Sequence, residues 1–387
     1  MAVFLTPVEM LEKLVSFDTV SAHSNKAMMD FIADYLAGHG IEAKLAPNDT
    51  GEKADLIATI GPSIKGGIVL SGHSDVVPVE GQDWDSDPFE MVEKDGRLYG
   101  RGTSDMKGFI AVALALAPEF KARNLKKPLH LVFSYDEELG CIGAPALVAR
   151  LVRDVPMPLA AIIGEPTDMK LANAHKGVTV FETKVSGKPA HSSQTQAGVN
   201  AITAAAQCIS HLSAIAEEFK TSASADEKFE PPYSTISIGT IEGGTALNIV
   251  AGECCVVWDC RSIQDGDSDL ALKQFEEHCR ASILPAMQAV ATESYITTEK
   301  MVSAPPLVPS EDNPGEALVK RLTGQNRAEV ISFATEAGIF EQSEIPAVIC
   351  GPGSIAQAHQ ANEFIELNQM DICADFLRKL AGWAIEP

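Results

Sequence analysis

Gly67-Ile68-Val69-Leu70-Ser71-Gly72-His73-Ser74-Asp75-Val76-Val77-Pro78 is the stretch around which the chain organises. The apolar run before Ser71 fits a buried strand, so His73 and Asp75 fall where that strand ends and a loop opens. Side chains two residues apart on a strand point the same way. An imidazole and a carboxylate so placed suit a metal ligand and the group that orients it. Taken alone, His-x-Asp is most often a surface loop, and its weight depends on what the rest of the chain brings beside it.

On the amino-terminal side, Thr6 caps a helix starting at Pro7, with Glu9 completing a capping box and Leu11, Leu14 and Val15 forming its apolar face. A second helix is expected from Asn25 to Leu36, stopping at Gly38-His39-Gly40. Ile41 to Leu45 and Asp55 to Ile60 alternate like exposed strands. Beyond Pro78 comes a short strand, Arg97-Leu98-Tyr99, then the turn Gly100-Arg101-Gly102-Thr103-Ser104-Asp105-Met106-Lys107-Gly108. Phe109 to Ala117 reads as a buried helix that Pro118 ends or kinks. Asp105 stands at its entrance, where an N-cap is the simple alternative to a functional carboxylate.

Leu129 to Tyr135 is a strand running into Asp136-Glu137-Glu138, and Ala160 to Ile163 is another ending in Gly164-Glu165-Pro166. Three consecutive carboxylates repel one another, so they are either fully solvated or face a cation. Near the end, Ala347 to Cys350 leads to Gly351-Pro352-Gly353-Ser354 and then His359, and a helix from Leu367 to Ala384 closes the chain. Helix and strand alternate through both outer segments, which predicts an α/β layered fold with a largely parallel mixed sheet.

The middle differs. Strand (Val178 to Val185), helix (Val199 to Phe219), strand (Ser234 to Ile241), strand (Ala246 to Cys260), helix (Ser268 to Leu284) and strand (Ala289 to Thr298) follow the β-α-β-β-α-β order of a ferredoxin-like unit. The expected division is therefore a discontinuous outer domain, 1–177 and 300–387, with 178–299 inserted into it. Glu217 to Glu230 reads as a loose loop and Ser303-Ala304-Pro305-Pro306-Leu307 as a return linker.

Composition bounds the function. The 387 residues hold 45% hydrophobic and 21% charged residues, as expected of a globular chain. A net charge of −23 disfavours a nucleic-acid partner, since phosphate contacts need clustered Lys and Arg. No uninterrupted apolar run is long enough for a bilayer and no basic leader precedes one, so a cytoplasmic protein without a membrane partner is expected. The eight cysteines form no C-x-x-C pair and read as reduced, buried thiols, with Cys254 and Cys255 facing opposite sides of one strand.

Carboxyl ends of neighbouring parallel strands open onto one crevice. His73, Asp75, Glu137, Glu138, Glu165 and His359 lie at such ends, with Asp105 at a helix entrance. This nitrogen and oxygen set without thiolates suits Zn²⁺, with Mn²⁺ or Co²⁺ as alternatives. It exceeds what one tetrahedral ion takes, which suggests two metals sharing a bridging carboxylate.

The stretches at 71–78, 100–108, 136–138 and 164–166, with the late His359, resemble the dizinc aminoacylase and carboxypeptidase family along essentially the whole chain. Within it, Phe333 to Gly338 and Cys350 to His359 look most like its members that deacetylate acetylornithine. One departure is Gln360-Ala361-Asn362-Glu363, where the family often has Lys-Pro-Asp-Glu. The resemblance implies a zinc-peptidase-like catalytic domain with an inserted ferredoxin-like lid and dimerisation domain. It implies an N-acyl amino acid as small-molecule substrate, namely N-acetyl-L-ornithine, in arginine biosynthesis. A desuccinylase or a broader N-acyl-amino-acid hydrolase is the alternative within the family, and a non-catalytic metal or amino-acid binding module the alternative outside it.

The roles are implied residue by residue. His73 and Glu165 would hold one metal, Glu138 and His359 the other, and Asp105 would bridge them. Asp75 would hold the His73 imidazole, and Glu137 would be the general base. His191 would reach across a homodimer interface to stabilise the oxyanion, for which a loop histidine in Gly187-Lys188-Pro189-Ala190-His191 is otherwise merely solvated. Asn248 and Arg261 would hold the substrate carboxylate, and Thr335 would line the pocket.

Overall fold

The structure, a computed structural model, describes residues 3–221 and 226–386. The chain divides into two compact units: residues 1–174, 309–330 and 335–387 form the first, and 175–308 with 331–334 form the second.

The first unit begins with helix α1 (Pro7–Val15), where the Thr6 hydroxyl accepts from Glu9 N and the Glu9 carboxylate accepts from Thr6 N. This satisfies two otherwise orphaned donors of the first turn. Helix α2 (Lys26–Gly38) leads to strands β1 (Ala43–Pro47), β2 (Ala54–Ile60) and β3 (Ile68–His73). β2 is buried almost throughout rather than exposed, because it lies between two other strands and not at the edge. After β4 (Val92–Lys94) and β5 (Arg97–Tyr99), helix α3 (Gly108–Ala122) continues past Pro118, which sits inside it. Phe109, Ile110, Leu114 and Phe120 are all buried on α3, and burial of each contributes roughly 1.5–3 kcal/mol. That packing holds the helix together across the one backbone hydrogen bond that proline removes. β6 (Leu129–Ser134), α4 (Ala144–Asp154), β7 (Ala160–Pro166) and β8 (Ala172–His175) complete this first pass.

The second unit runs β9 (Gly177–Ser186), α5 (Ala201–Lys220), β10 (Thr235–Gly243), β11 (Glu253–Ser262), α6 (Asp267–His278), a π-helical turn (Cys279–Ile283), α7 (Leu284–Gln288) and β12 (Tyr295–Ala304). Its strands form an antiparallel sheet in the order β10-β11-β9-β12, the split β-α-β-β-α-β arrangement. Phe181, Trp258 and Phe275 lie in its own apolar cluster, with Phe181 and Trp258 stacked at 4.2 Å.

Three boundaries differ from expectation. β11 starts at Glu253 rather than Ala246, because Gly244 adopts a left-handed φ of +75° and the loop after it turns back before the strand begins. β12 starts at Tyr295 rather than Ala289, since Ala289 and Ala291 N–H groups donate to Pro285 and Met287 carbonyls and so finish α7. Ser303 and Ala304 consequently belong to β12 and not to a linker. Of the loop expected at 217–230, Glu217 to Lys220 complete α5, and 222–225 lie outside the described residues.

The chain then returns through α8 (Pro314–Thr323), β13 (Glu329–Ile331), α9 (Ala337–Gln342), β14 (Ala347–Gly351), β15 (Phe364–Glu366) and α10 (Leu367–Ala384). The large sheet has the order β1-β2-β6-β3-β7-β14-β8-β13, with the three central pairings β6-β3, β3-β7 and β7-β14 parallel. The sheet is thus mixed, with a parallel centre. His73 stands opposite Ser134 in the ladder, and the ends of β3, β6, β7 and β14 therefore open on one edge. No helix among the described residues is long and apolar enough to cross a membrane.

Candidate metal centre

Each strand of the parallel centre delivers at least one acid or histidine to that edge. His73 ends β3 and is 1% exposed, Glu137 and Glu138 follow β6, Glu165 is the sixth residue of β7, and His359 follows β14. Asp105 lies in the Thr103–Lys107 turn before α3 with φ −123° and ψ 96°. The N-cap position of α3 is held by Lys107, so Asp105 does not cap the helix. Its two oxygens divide between the histidines. Oδ1 is 2.9 Å from His73 Nε2 and Oδ2 is 3.2 Å from His359 Nε2. Glu165 Oε1 lies 3.8 Å from His73 Nε2, and Glu138 Oε2 lies 3.1 Å from His359 Nε2.

These spacings fit metal ligation. Ligands about 2.0–2.1 Å from a tetrahedral zinc stand about 3.3 Å from one another, which the observed 2.9–3.8 Å brackets. Two overlapping sets, His73 with Glu137 and Glu165, and His73 with Asp105 and Glu138, each offer donor atoms within 4.8 Å of one another. Glu138 Oε1 is also buried without a hydrogen-bond partner, a costly state for a carboxylate oxygen unless it meets a cation.

The electrostatics agree. Burial, together with the neighbouring carboxylates, pushes the carboxyl groups of Glu137, Glu138 and Glu165 above the usual range. Burial opposes ionisation of Asp105 too, but hydrogen bonds to His359 and His73 hold it well below that range. His359 is pushed up to about 10 by its hydrogen bonds to Asp105 and Glu138. Burial works against a charged His73, yet the Asp105 and Asp75 carboxylates raise it well above the ordinary imidazole value. Three buried glutamates raised partly by one another, beside two histidines raised by the carboxylates they face, mark an excess of negative charge for which divalent cations are the natural counter-ions.

Asp75 sits differently from expectation. The His73 Nδ1 partner at 2.9 Å is the Asp75 backbone carbonyl, and the nearer carboxylate oxygen is 3.6 Å away. The carboxylate instead accepts from Glu137 N at 3.1 Å, Glu138 N at 3.3 Å and Ser21 Oγ at 2.7 Å. Although burial disfavours its charge, the His73 imidazole and these donors hold its carboxyl below the usual value. Asp75 therefore orients His73 through its main chain and anchors Glu137 and Glu138 through its side chain. Asp136, the first acid of the triplet, pairs with Lys53 and takes no part in the cluster.

Thr335 is fully buried, and its hydroxyl accepts from Ala337 N at the start of α9. In the second unit, His191 is exposed. Its Nδ1 lies 2.7 Å from Ser193 Oγ and 3.2 Å from Ser193 N. Ser192 N donates to the Asn248 carbonyl and Val250 N to the Ala190 carbonyl, so the His191 and Asn248 loops lie side by side. Asn248 thus belongs to a loop and not to a strand end. Arg261 is exposed on β11 with its Nε 3.4 Å from Asp259.

Two features escaped the sequence reading. Glu336 is 1% exposed, with Oε2 3.4 Å from Ser71 Oγ, and burial raises its carboxyl. Its adjacency to Thr335 in sequence was the available signal. Arg101 and Glu363 form an ion pair at 2.7 Å with both side chains 1% exposed.

A parallel-centred sheet carrying two imidazoles and four carboxylates on one edge defines a metal-dependent hydrolase site. The sequence profile of peptidase family M20/M25/M40 matches residues 69–382, and the chain belongs to that family. It is 33% identical to an acetylornithine deacetylase of Proteus mirabilis, over 98% of this chain and 96% of that protein. It is 31% identical to that of Pasteurella multocida, over 97% of each. Among solved structures, the fold is similar to an M20 family metallo-carboxypeptidase from Sulfolobus solfataricus, with a TM-score of 0.74 and 18% identity over 97% of this chain and 98% of that one. It is also similar to a dinuclear metal-binding M20 peptidase from Bacillus subtilis, with a TM-score of 0.62 and 18% identity over 98% and 97%. The chain is accordingly a metal-binding hydrolase.

Proposed function

We propose that the protein is a dizinc amidohydrolase that removes the acetyl group from N-acetyl-L-ornithine, yielding L-ornithine and acetate for arginine biosynthesis. The observation that carries the chemistry is Asp105, one carboxylate whose two oxygens each face a different histidine. The substrate rests on the named relatives at 31–33% identity. His73 and Glu165 would hold one zinc, Glu138 and His359 the other, and Asp105 would bridge them. Bound there, two zinc ions supply Lewis-acid polarisation of the amide carbonyl and acidify the attacking water.

Glu137 takes the proton of that water as its oxygen bonds to the carbonyl carbon, then delivers the proton to the amine as the C–N bond breaks. Its raised carboxyl suits a group that must both accept and release a proton. His191 donates from Nε2 to the oxyanion. Asn248 and Arg261 hold the substrate carboxylate, and Thr335 supports the pocket wall through the start of α9. The working form is a cytoplasmic homodimer joined through the second unit, whose edge strand β10 leaves Ile241 exposed and a ladder open to a second copy. The test is kcat/KM for N-acetyl-L-ornithine, N-succinyl-diaminopimelate and N-acetyl-L-methionine with zinc-loaded protein. Preference for the first is expected, and equal or lower activity on it removes the substrate assignment.

A further inference from the structure

Glu363 ends the Gln360-Ala361-Asn362-Glu363 segment that follows His359. The side chain is 1% exposed, and both its oxygens are saturated by the turn that carries Asp105. Oε1 accepts from Ser104 N at 2.9 Å and Asp105 N at 3.1 Å. Oε2 accepts from Gly102 N at 2.9 Å and from Arg101 Nη1 at 2.7 Å. One carboxylate thus fixes three main-chain N–H groups between Gly102 and Asp105, including that of Asp105 itself.

Arg101 extends the network. Its Nη1 reaches the Gln360 carbonyl at 3.3 Å, and its Nη2 donates to the Pro78 carbonyl at 3.3 Å and to Gln82 Oε1 at 2.5 Å. Gln82 Nε2 in turn donates to the carbonyl of His359 at 3.0 Å. His359 has a φ of +62° and Asn362 one of +58°, left-handed conformations uncommon for residues other than glycine. Asn362 Oδ1 accepts from Asp85 N at 2.9 Å, so the loop holding these conformations is tied down on both sides. A buried ion pair is a weak source of net stability, because desolvation offsets its attraction. The hydrogen bonds it makes fix positions instead, and those positions belong to the two residues that face each other at 3.2 Å, Asp105 and His359.

We propose that Arg101, Glu363 and Gln82 are positioning residues that set the Asp105 carboxylate and the His359 imidazole relative to each other, and with them the affinity of the second metal position. The proposal rests on the two-metal reading above. Within the segment Gln360 serves through its carbonyl and Asn362 through its amide oxygen, while Glu363 binds the turn.

The experiment compares wild type with Gln82→Ala, Arg101→Lys and Glu363→Gln as full chains. Each is stripped of metal, and zinc is added in competition with a chromophoric chelator to obtain both dissociation constants. Cobalt d–d absorption, the Tm of the stripped protein, and kcat and KM are measured alongside. Outer partners of metal ligands typically alter affinity by about 10–100-fold. Glu363→Gln and Arg101→Lys are expected to weaken zinc at least tenfold and to alter the cobalt spectrum. Gln82→Ala leaves the buried pair intact, so it should keep the wild-type Tm while weakening one zinc equivalent severalfold and sparing the other, with kcat reduced and KM little changed. If Glu363→Gln fails to fold, Gln82→Ala decides. Wild-type affinities and spectrum in Gln82→Ala would overturn the proposal while leaving the two-metal reading intact. Fewer than two zinc ions bound by wild type would overturn both.

Discussion

Replacing Glu137 with Gln removes a charge and a proton acceptor without changing the length of the side chain. The residue is well held by groups indifferent to that charge: Asp75 Oδ1 accepts from its main-chain N–H at 3.1 Å, and Cys141 Sγ donates to Oε1 at 3.4 Å. The amide oxygen of glutamine can accept the same thiol, so the local structure should persist. A general base contributes about 10²–10⁴-fold to rate, which at 1.36 kcal/mol per decade is roughly 2.7–5.4 kcal/mol of barrier. Saturation kinetics on N-acetyl-L-ornithine, with zinc measured on the same samples by elemental analysis, should show kcat reduced at least 100-fold, KM within a few-fold and two zinc ions per chain. A variant retaining a tenth or more of wild-type kcat would refute the assignment of Glu137 as base. Because a Glu137 oxygen also lies among the donors around His73 and Glu165, loss of one zinc in the variant would identify it as a ligand instead.

Burial pushes the imidazoles of His130 and His175 down to about 4. Below about pH 6.5 the unfolded chain takes up protons that the folded chain refuses, so stability falls as pH drops towards 4, by about 1.4 kcal/mol per unit for each histidine. Urea unfolding between pH 7 and 4.5 should show His130→Gln losing less stability than wild type by that slope, and parallel curves would show that His130 is not the cause. A Cβ at Gly164 would sit 2.0 Å from the Phe109 ring, itself 1% exposed. Gly164→Ala should therefore cost about 3 kcal/mol or more by overpacking and weaken zinc through the adjoining Glu165, whereas a Tm within 1 °C of wild type would contradict that packing. Dialysis against a chelator should abolish hydrolysis and two equivalents of zinc should restore it; full activity in the stripped protein would end the metal mechanism. His191→Asn should lower kcat about 10²-fold or more and Arg261→Met should raise KM. Both residues are exposed in the second unit, so neither change should alter zinc content, and a loss of zinc would assign them differently.

The candidate site was legible because its residues mark strand ends, which apolar runs reveal without tertiary information. Ile68 to Leu70, Leu129 to Phe133, Ala160 to Ile163 and Ala347 to Cys350 all stop within three residues of an acid, a glycine or a histidine. In the folded chain, three of those strands place His73, Glu137, Glu138 and Glu165 on one edge. The role of Asp75 was not legible, because choosing between its carbonyl and its carboxylate as the His73 partner needs the loop's path. The start of β12 was missed for a different reason: Ala289-Val290-Ala291 is apolar enough for a strand, and only the helical hydrogen bonds to Pro285 and Met287 decide against it. Arg101 and Glu363 lie 262 positions apart in sequence, and neither stands in an apolar pattern that would betray burial.

The acids of this site divide by what they find to accept from. Asp75 and Glu363 are surrounded by main-chain N–H groups: Asp75 receives those of Glu137 and Glu138, and Glu363 those of Gly102, Ser104 and Asp105. Their charge is answered by the backbone together with Arg101 at Glu363 and Ser21 at Asp75, and what they determine is where the next residues sit. Glu138 and Glu165 face histidines and other carboxylates, and one oxygen of Glu138 finds no donor among the described residues. Their charge calls for cations. The two groups alternate in function: each carboxylate bound by N–H donors holds the segment that supplies an acid facing the cluster, Asp75 holding Glu137 and Glu138, and Glu363 holding Asp105. A site that concentrates so much negative charge would otherwise spread under its own repulsion. Anchoring the main chain of the repelling residues with buried acceptors keeps the ligands at metal-binding distance, and so the chain carries more buried acids than two metals require.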